Sequence, residues 1–251
     1  MSLSISLRSE FLKMNRASTI YLCIIVAAIV PAILFFDTVF DDANQMKTFP
    51  WNRYFTKAHQ ALSIVFLPLY IILTCTLLLQ NEYRNNTWKQ VLTSPQKLVN
   101  VFFAKFIILH LLVLLFLISF NVWLAVEAVV VELIHPNLFN QGLNVSELLL
   151  FNYRAYVSIF AISAIQFWLA LRFKNFIAPI AIGFCLWFLA PTMIFELKWL
   201  FADKYPYSFP ILSLHPKYKA SIPMFQWLSL GYAVLFLAIA FVEFKIRKVK
   251  G

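Results

Sequence analysis

The run "FIILHLLVLLFLISFNVWLAV", Phe106 to Val126, contains no Asp, Glu, Lys or Arg. Its apolar residues fall on every side of a helix, and they do not alternate as a membrane-barrel strand would over about 10 residues. A bilayer core about 30 Å thick is crossed by roughly 20 helical residues. In hydrocarbon a helix satisfies its own backbone hydrogen bonds. The run therefore reads as a transmembrane helix.

Five more windows share its character: Thr19–Phe36, Ala61–Leu79, Ala155–Leu171, Phe176–Phe195 and Ile222–Val242. None holds a charged residue, and the window at Ala155, the shortest, is expected to recruit residues before it. The first is longer than the apolar core of a signal peptide and no A-x-A site follows it, so it is read as a retained span. Hydrophobic residues make up 62% of the chain and charged ones 13%, with a mean hydropathy of +0.78. Soluble domains carry about 25% charged residues. The expected fold is all-α: one polytopic transmembrane domain, residues 1–251, with six spans.

Six spans put both termini on one side of the membrane. That side takes residues 1–18, 80–105, 172–175 and 243–251, which hold thirteen of the 21 basic residues and three of the 11 acidic ones. The whole net charge of +10 therefore lies on one face, and the positive-inside rule places that face in the cytoplasm. In a soluble protein the same charge would point to nucleic acid. Here it is split among short segments flanking helices, where it sets topology and meets anionic lipid.

Residues 1–18 space Leu3, Leu7, Phe11 and Met14 at helical intervals, with Arg8, Glu10, Lys13 and Arg16 between them. This predicts an amphipathic helix on the cytoplasmic surface, turning at an elbow into the first span. In the outer loop 37–60, Trp51, Tyr54 and Phe55 are expected in an interfacial belt, and Asp37, Asp41 and Asp42 on a solvated face. The outer loop 196–221 is too apolar to stand free. It is expected to dip into the outer leaflet or pack over the spans. Pro31, Pro68 and Pro191 should each bend a span.

Polar residues inside the windows are few. His110 is read as a structural hydrogen-bonding group, and Asn121 and Gln166 as links between spans three and four. At the outer end, Arg154 is expected to pair with Glu127 or Glu132. Cys23, Cys75 and Cys185 form no CxxC, metal spacing or disulfide framework. His59, His135 and His215 are placed outside the membrane, with no spacing that ties them to acids. With four glycines the chain cannot write G-x-x-x-x-G-K-[ST], and HExxH and GxSxG are also missing. No catalytic, cofactor or metal site is expected, and any ATP-driven work would draw on another chain.

The segment 80–105 is different in kind. Asn85, Asn86 or Thr87 can cap a short helix. Trp88, Val91 and Leu92 then make an i, i+3, i+4 stripe, and Ser94-Pro95 stops it and starts the next helix. Such a helix either lies among lipid headgroups or docks in a groove on a soluble partner.

"EYRNNTWKQVLTSPQKLVNVFFAKF", Glu82 to Phe106, resembles the cytoplasmic stretch of type-2 ABC exporter permeases. Glu82, Asn86, Thr87, Trp88, Lys89, Leu92, Pro95 and Lys105 occupy the family's positions, with Asn86 where many members have glycine. The layout of spans, elbow helix and apolar outer loop extends the likeness over the whole chain, closest to the small permeases of lantibiotic-protection and bacitracin-type exporters. The resemblance implies a coupling helix that holds an ABC ATPase through Glu82, Asn86, Thr87, Trp88, Val91, Leu92 and Pro95. ATP and magnesium would sit on that ATPase. It also implies a second permease as homodimer or heterodimer partner, a bacterial inner-membrane location, and a hydrophobic or amphipathic substrate, with antibiotic resistance as a role. The alternative is a non-transporting scaffold that recruits another soluble protein through the 86–94 helix.

Overall fold

The computed structural model describes residues 3–15, 19–40, 51–84, 97–136, 139 and 142–250. Every long element among them is a helix. In chain order these are α1 (Leu3–Asn15), α2 (Thr19–Ala27), α3 (Ile29–Phe40), α4 (Trp51–Ala61), α5 (Leu67–Arg84), α6 (Leu98–Ile134), α7 (Val145–Ser158), α8 (Phe160–Arg172), α9 (Ile177–Pro191), α10 (Phe209–Leu214) and α11 (Ile222–Lys250). Among the described residues, five stretches are long and apolar enough to cross a membrane: Arg53–Gln80, Leu98–Ile134, Val145–Arg172, Ile177–Glu196 and Pro216–Ile246. Cys23–Val39 is a shorter apolar helix.

The bundle has two recognisable ends. At one, Phe102 packs edge-on to Phe167 and Phe241, with ring centroids 5.2 and 5.3 Å away. This gathers the start of α6, the end of α8 and the end of α11. At the other, Tyr54 donates to Glu127, Trp51 stacks on Phe139 at 4.1 Å, and Lys57 reaches Asp37 at 2.6 Å. Between them α6 forms the central post. Phe116 and Phe120 are fully buried, and Tyr70 of α5 stacks on Phe116 at 4.1 Å.

Several helices are broken, and three of the breaks are met by a side chain from elsewhere. Pro31 has no N–H for the Ala27 carbonyl, and the first helix interrupts at Ala28, whose N–H turns to Ile25. The Ile24 carbonyl is taken instead by the Trp123 indole at 3.2 Å. Pro68 likewise has nothing to give Ile64. The chain there adopts a π turn, Leu62–Phe66, and the Trp187 indole donates to the Ile64 carbonyl at 2.7 Å. A second π turn, Thr192–Glu196, follows Pro191. The Tyr205 hydroxyl donates to Leu186 in the same helix at 2.7 Å. Between α7 and α8 the break is at Ile159, with neither Pro nor Gly to cause it. Ser229 of α11 fills it, accepting from the Ala161 N–H at 3.1 Å and lying 3.0 Å from the carbonyls of Val157 and Ser158.

The outer loop 37–60 differs from its expected form. From Trp51 onward it is helix, continuous with the second apolar run through the π turn. Tyr54 and Phe55 are buried rather than set in an interfacial belt, and His59 is buried too, its Nδ1 2.8 Å from the Phe55 carbonyl. The amphipathic pattern of 51–61 folds its aromatic face inward onto Phe120, Phe139 and Phe151. Asp37 is paired with Lys57, while Asp41 and Asp42 lie outside the described residues.

The 196–221 loop divides in two. Leu197, Trp199, Leu200 and Phe201 are exposed, whereas Tyr207, Phe209, Ile211, Leu212 and Leu214 are buried against the helices. Burial pushes the Tyr205 and Tyr207 hydroxyls above their ordinary pKa.

Candidate functional site

The 85–96 segment lies outside the described residues, but both of its attachments belong to the end marked by Phe102. It leaves α5 after Arg84 and enters α6 at Leu98. Glu82 lies in the last turn of α5, while Asn86, Thr87, Trp88, Val91, Leu92 and Pro95 lie outside the described residues.

Lys105, near the start of α6, has a side chain only 1% exposed. A buried ammonium needs a partner, and α1 supplies one. Lys105 Nζ donates to Glu10 Oε2 at 2.8 Å, while Lys13 Nζ donates to Glu10 Oε1 at 2.7 Å. Burial raises the Glu10 pKa, but the two lysines more than offset it and leave the carboxyl below its ordinary value. One turn back, Leu7 packs on Ile108 and Leu112. Contacts 7 to 108 and 10 to 105 run in opposite senses, so α1 lies antiparallel to the start of α6.

α1 therefore meets α6 with a mixed face, Leu7 of the apolar stripe beside the charged Glu10. Ser6 and Glu10 are buried and Leu7 is partly buried, whereas Leu3 and Phe11 are exposed. Met14 lies in the last turn of α1. Sequence reasoning placed Glu10 on the polar face. The available signal was Lys105, a charge adjoining a run of apolar residues, because such a charge calls for a counter-ion.

Two more polar contacts tie this end together. Gln80 of α5 donates to the Phe173 carbonyl at 2.7 Å, fixing the turn between α8 and α9. The Trp168 indole donates to Glu243 of α11 at 2.8 Å, while Arg172 lies 3.9 Å from the same carboxylate and over the Trp168 ring.

Deeper in the bundle, His110 is 3.2 Å from the Ser163 hydroxyl and stacks on Phe160, a structural arrangement. Asn121 links α6 to α7 through a reciprocal amide pair with Asn152, at 2.7 and 3.1 Å. Gln166 reaches past α6, donating to the Pro179 carbonyl at 2.8 Å and to Thr76 at 3.4 Å. It thereby joins α8 to α9 and α5. Glu127 is met by Tyr54 rather than Arg154. Asn144, the first residue of an N-x-S pattern, caps α7 by accepting from the Glu147 N–H. Cys23 and Cys75 are buried and Cys185 is exposed. Among the described residues no group of His, Cys, Asp or Glu could hold a metal ion.

Side chains from α1, α5, α6, α8 and α11 lock one end of a helical bundle around the attachments of a basic segment. A comparison with curated proteins gives no match. A comparison with protein-family models matches residues 6–190 to the one described as ABC-2 family transporter protein, a span that includes most of α1, Lys105, the 85–96 segment and Gln166. Members are membrane permeases that act with an ABC ATPase rather than as catalysts themselves. This chain belongs to the ABC-2 transporter family.

Proposed function

We propose that this chain is the membrane subunit of an ATP-driven exporter and that the 85–96 segment is where its ATPase docks. In this reading α2 and α3 together form a sixth span, and both termini face the cytoplasm. A second permease, identical or related, completes the pathway in a bacterial inner membrane. The substrate is hydrophobic or amphipathic and leaves from the cytoplasm or the bilayer.

The observation that carries the reading is where α5 ends and α6 begins, the two helix ends that the 85–96 segment joins. The segment bridges α5 and α6 at the end of the bundle where thirteen of the basic residues are gathered by the expected topology. A helix docked there would bear directly on α6, the central post. The most apolar windows of Ile177–Glu196 and Pro216–Ile246 are each only 22% buried, which leaves broad surfaces for lipid and a second permease.

The test is co-purification from cells expressing the chain with its neighbouring genes, followed by ATP hydrolysis in proteoliposomes. A stoichiometric subunit bearing G-x-x-x-x-G-K-[ST] is expected. Trp88→Asp should release it while the permease still inserts. Retention of the ATPase and its full activity by that variant would refute the docking assignment.

A further inference from the structure

We propose that Glu127, with the rings of Trp51, Tyr54 and Phe139, forms a site for the ammonium group of a cationic amphiphile. The inference deepens the exporter reading above by giving the substrate a charge, and it rests on that reading only for the direction in which such a molecule moves.

Among the described residues two glutamates are buried, and they differ in what meets them. Glu10, at the Phe102 end, takes Lys105 on one carboxylate oxygen and Lys13 on the other. Glu127 lies two turns before the end of α6, at the opposite end of the bundle, and is 8% exposed. Its Oε1 accepts from the Tyr54 hydroxyl, and its Oε2 accepts from no described residue. Lys57, on the same helix as Tyr54, is committed to Asp37 at 2.6 Å. A carboxylate buried in an apolar span is costly unless a cation meets it, and such a residue marks a path for a charged ligand.

The surroundings define the cation. Trp51 stacks on Phe139 at 4.1 Å, and the Tyr54 ring stands edge-on to Phe139 at 5.7 Å. Trp51 and Phe139 are half-buried, so the rings make a partly open rim that Tyr54 joins to the closed carboxylate. Aromatic faces attract ammonium groups. One carboxylate and one phenol offer too few oxygens for calcium or magnesium, whereas an ammonium group is neutralised by a single carboxylate. The molecule that carries it is amphipathic because apolar surface adjoins the site: Val126, Val130 and Leu133, an i, i+4, i+7 stripe on the neighbouring face of α6, are exposed.

The experiment measures binding of dansylcadaverine, a fluorescent amphiphile with a primary ammonium group, to the full chain in phosphatidylcholine nanodiscs. Its neutral N-acetyl derivative is the control. The native chain is expected to bind the cation about tenfold or more tightly than the neutral form, in line with a charge-assisted contact. Glu127→Gln keeps the shape and can still accept from Tyr54, but it removes the charge and should abolish that preference. A merely structural Glu127 would change the affinity for both probes together. That result, or equal affinity of the native chain for the two probes, overturns the proposal. If Glu127→Gln fails to fold, Trp51→Leu on the half-buried rim gives the second reading. The preference should then fall about threefold or more, the scale of a lost cation–π contact, and an unchanged preference overturns the proposal. Co-purification of the ATPase separates the two readings. A chain that recruits an active ATPase without distinguishing the probes defeats this inference alone. One that prefers the cation without recruiting an ATPase defeats the exporter reading alone.

Discussion

Gly183 shows how closely the buried amide of Gln166 is fitted. A Cβ on Gly183 would stand 2.6 Å from Gln166 Oε1 and 3.0 Å from Ile72 Cγ2. Gln166 has little room to retreat, because it is fully buried and its amide nitrogen is committed to Pro179 and Thr76. Gly183→Ala should therefore lower stability in detergent by about 1–3 kcal/mol, the usual cost of overpacking, as read from a thermal melt. Gly231→Ala is the matched control. It is also helical, and nothing lies within 4 Å of its added Cβ. It should leave the melt unchanged or raise it by up to about 1 kcal/mol through helix propensity. Glu10 carries a prediction in pH. Its folded pKa is depressed below the ordinary 4.5, so its contribution is complete above that value and is lost as pH falls through the folded pKa. Exchange protection of α1 should hold from neutrality to about pH 5, in line with that linkage, and collapse in more acid solution. Protection that declined between pH 8 and 6 would contradict the assignment.

At the scale of elements, three of the broken helices share a feature: a freed backbone group within the bundle is met by a side chain from another element. Ser229→Ala should leave the Ala161 N–H and the carbonyls of Val157 and Ser158 without its hydroxyl, costing about 1–3 kcal/mol for buried groups and speeding exchange at Ala161. Trp187→Phe should cost about 1 kcal/mol or more by stripping the Ile64 carbonyl. In a Pro68→Ala background the cost should shrink, because residue 68 regains an N–H. Equal costs in the two backgrounds would show that the indole acts only by packing. These cases also mark what the sequence makes legible. The apolar runs and the bends at Pro31 and Pro68 can be read directly, because length and a missing donor are local properties. The break at Ile159 cannot, since its cause is a serine on α11. The inward turn of Tyr54, Phe55 and His59 is hidden for a related reason. Amphipathic helix and interfacial aromatic belt share one pattern, and only the presence of Phe120, Phe139 and Phe151 decides between them. Glu10 was misplaced on the same ground, its partner lying 95 residues away.

At the scale of the whole molecule, the two ends of the bundle decide how many times the chain crosses. α1 is pinned at the Phe102 end through Lys105, and α3 finishes near the Tyr54–Glu127 end, where Asp37 meets Lys57. The helices between 19 and 40 must connect those ends. At 1.5 Å per residue they span about 33 Å, close to the hydrocarbon thickness. In the proposed topology the positive-inside rule puts the Phe102 end in the cytoplasm. Single cysteines placed on exposed positions test both statements in a background with Cys23, Cys75 and Cys185 replaced. An impermeant maleimide should label Lys198→Cys and Lys217→Cys in intact cells, and Lys174→Cys only after permeabilisation. Arg8→Cys is the deciding position. Labelling in the class of Lys174 is expected if α2 and α3 cross the bilayer. Labelling in the class of Lys198 would leave five crossings. It would also overturn the proposed sixth span.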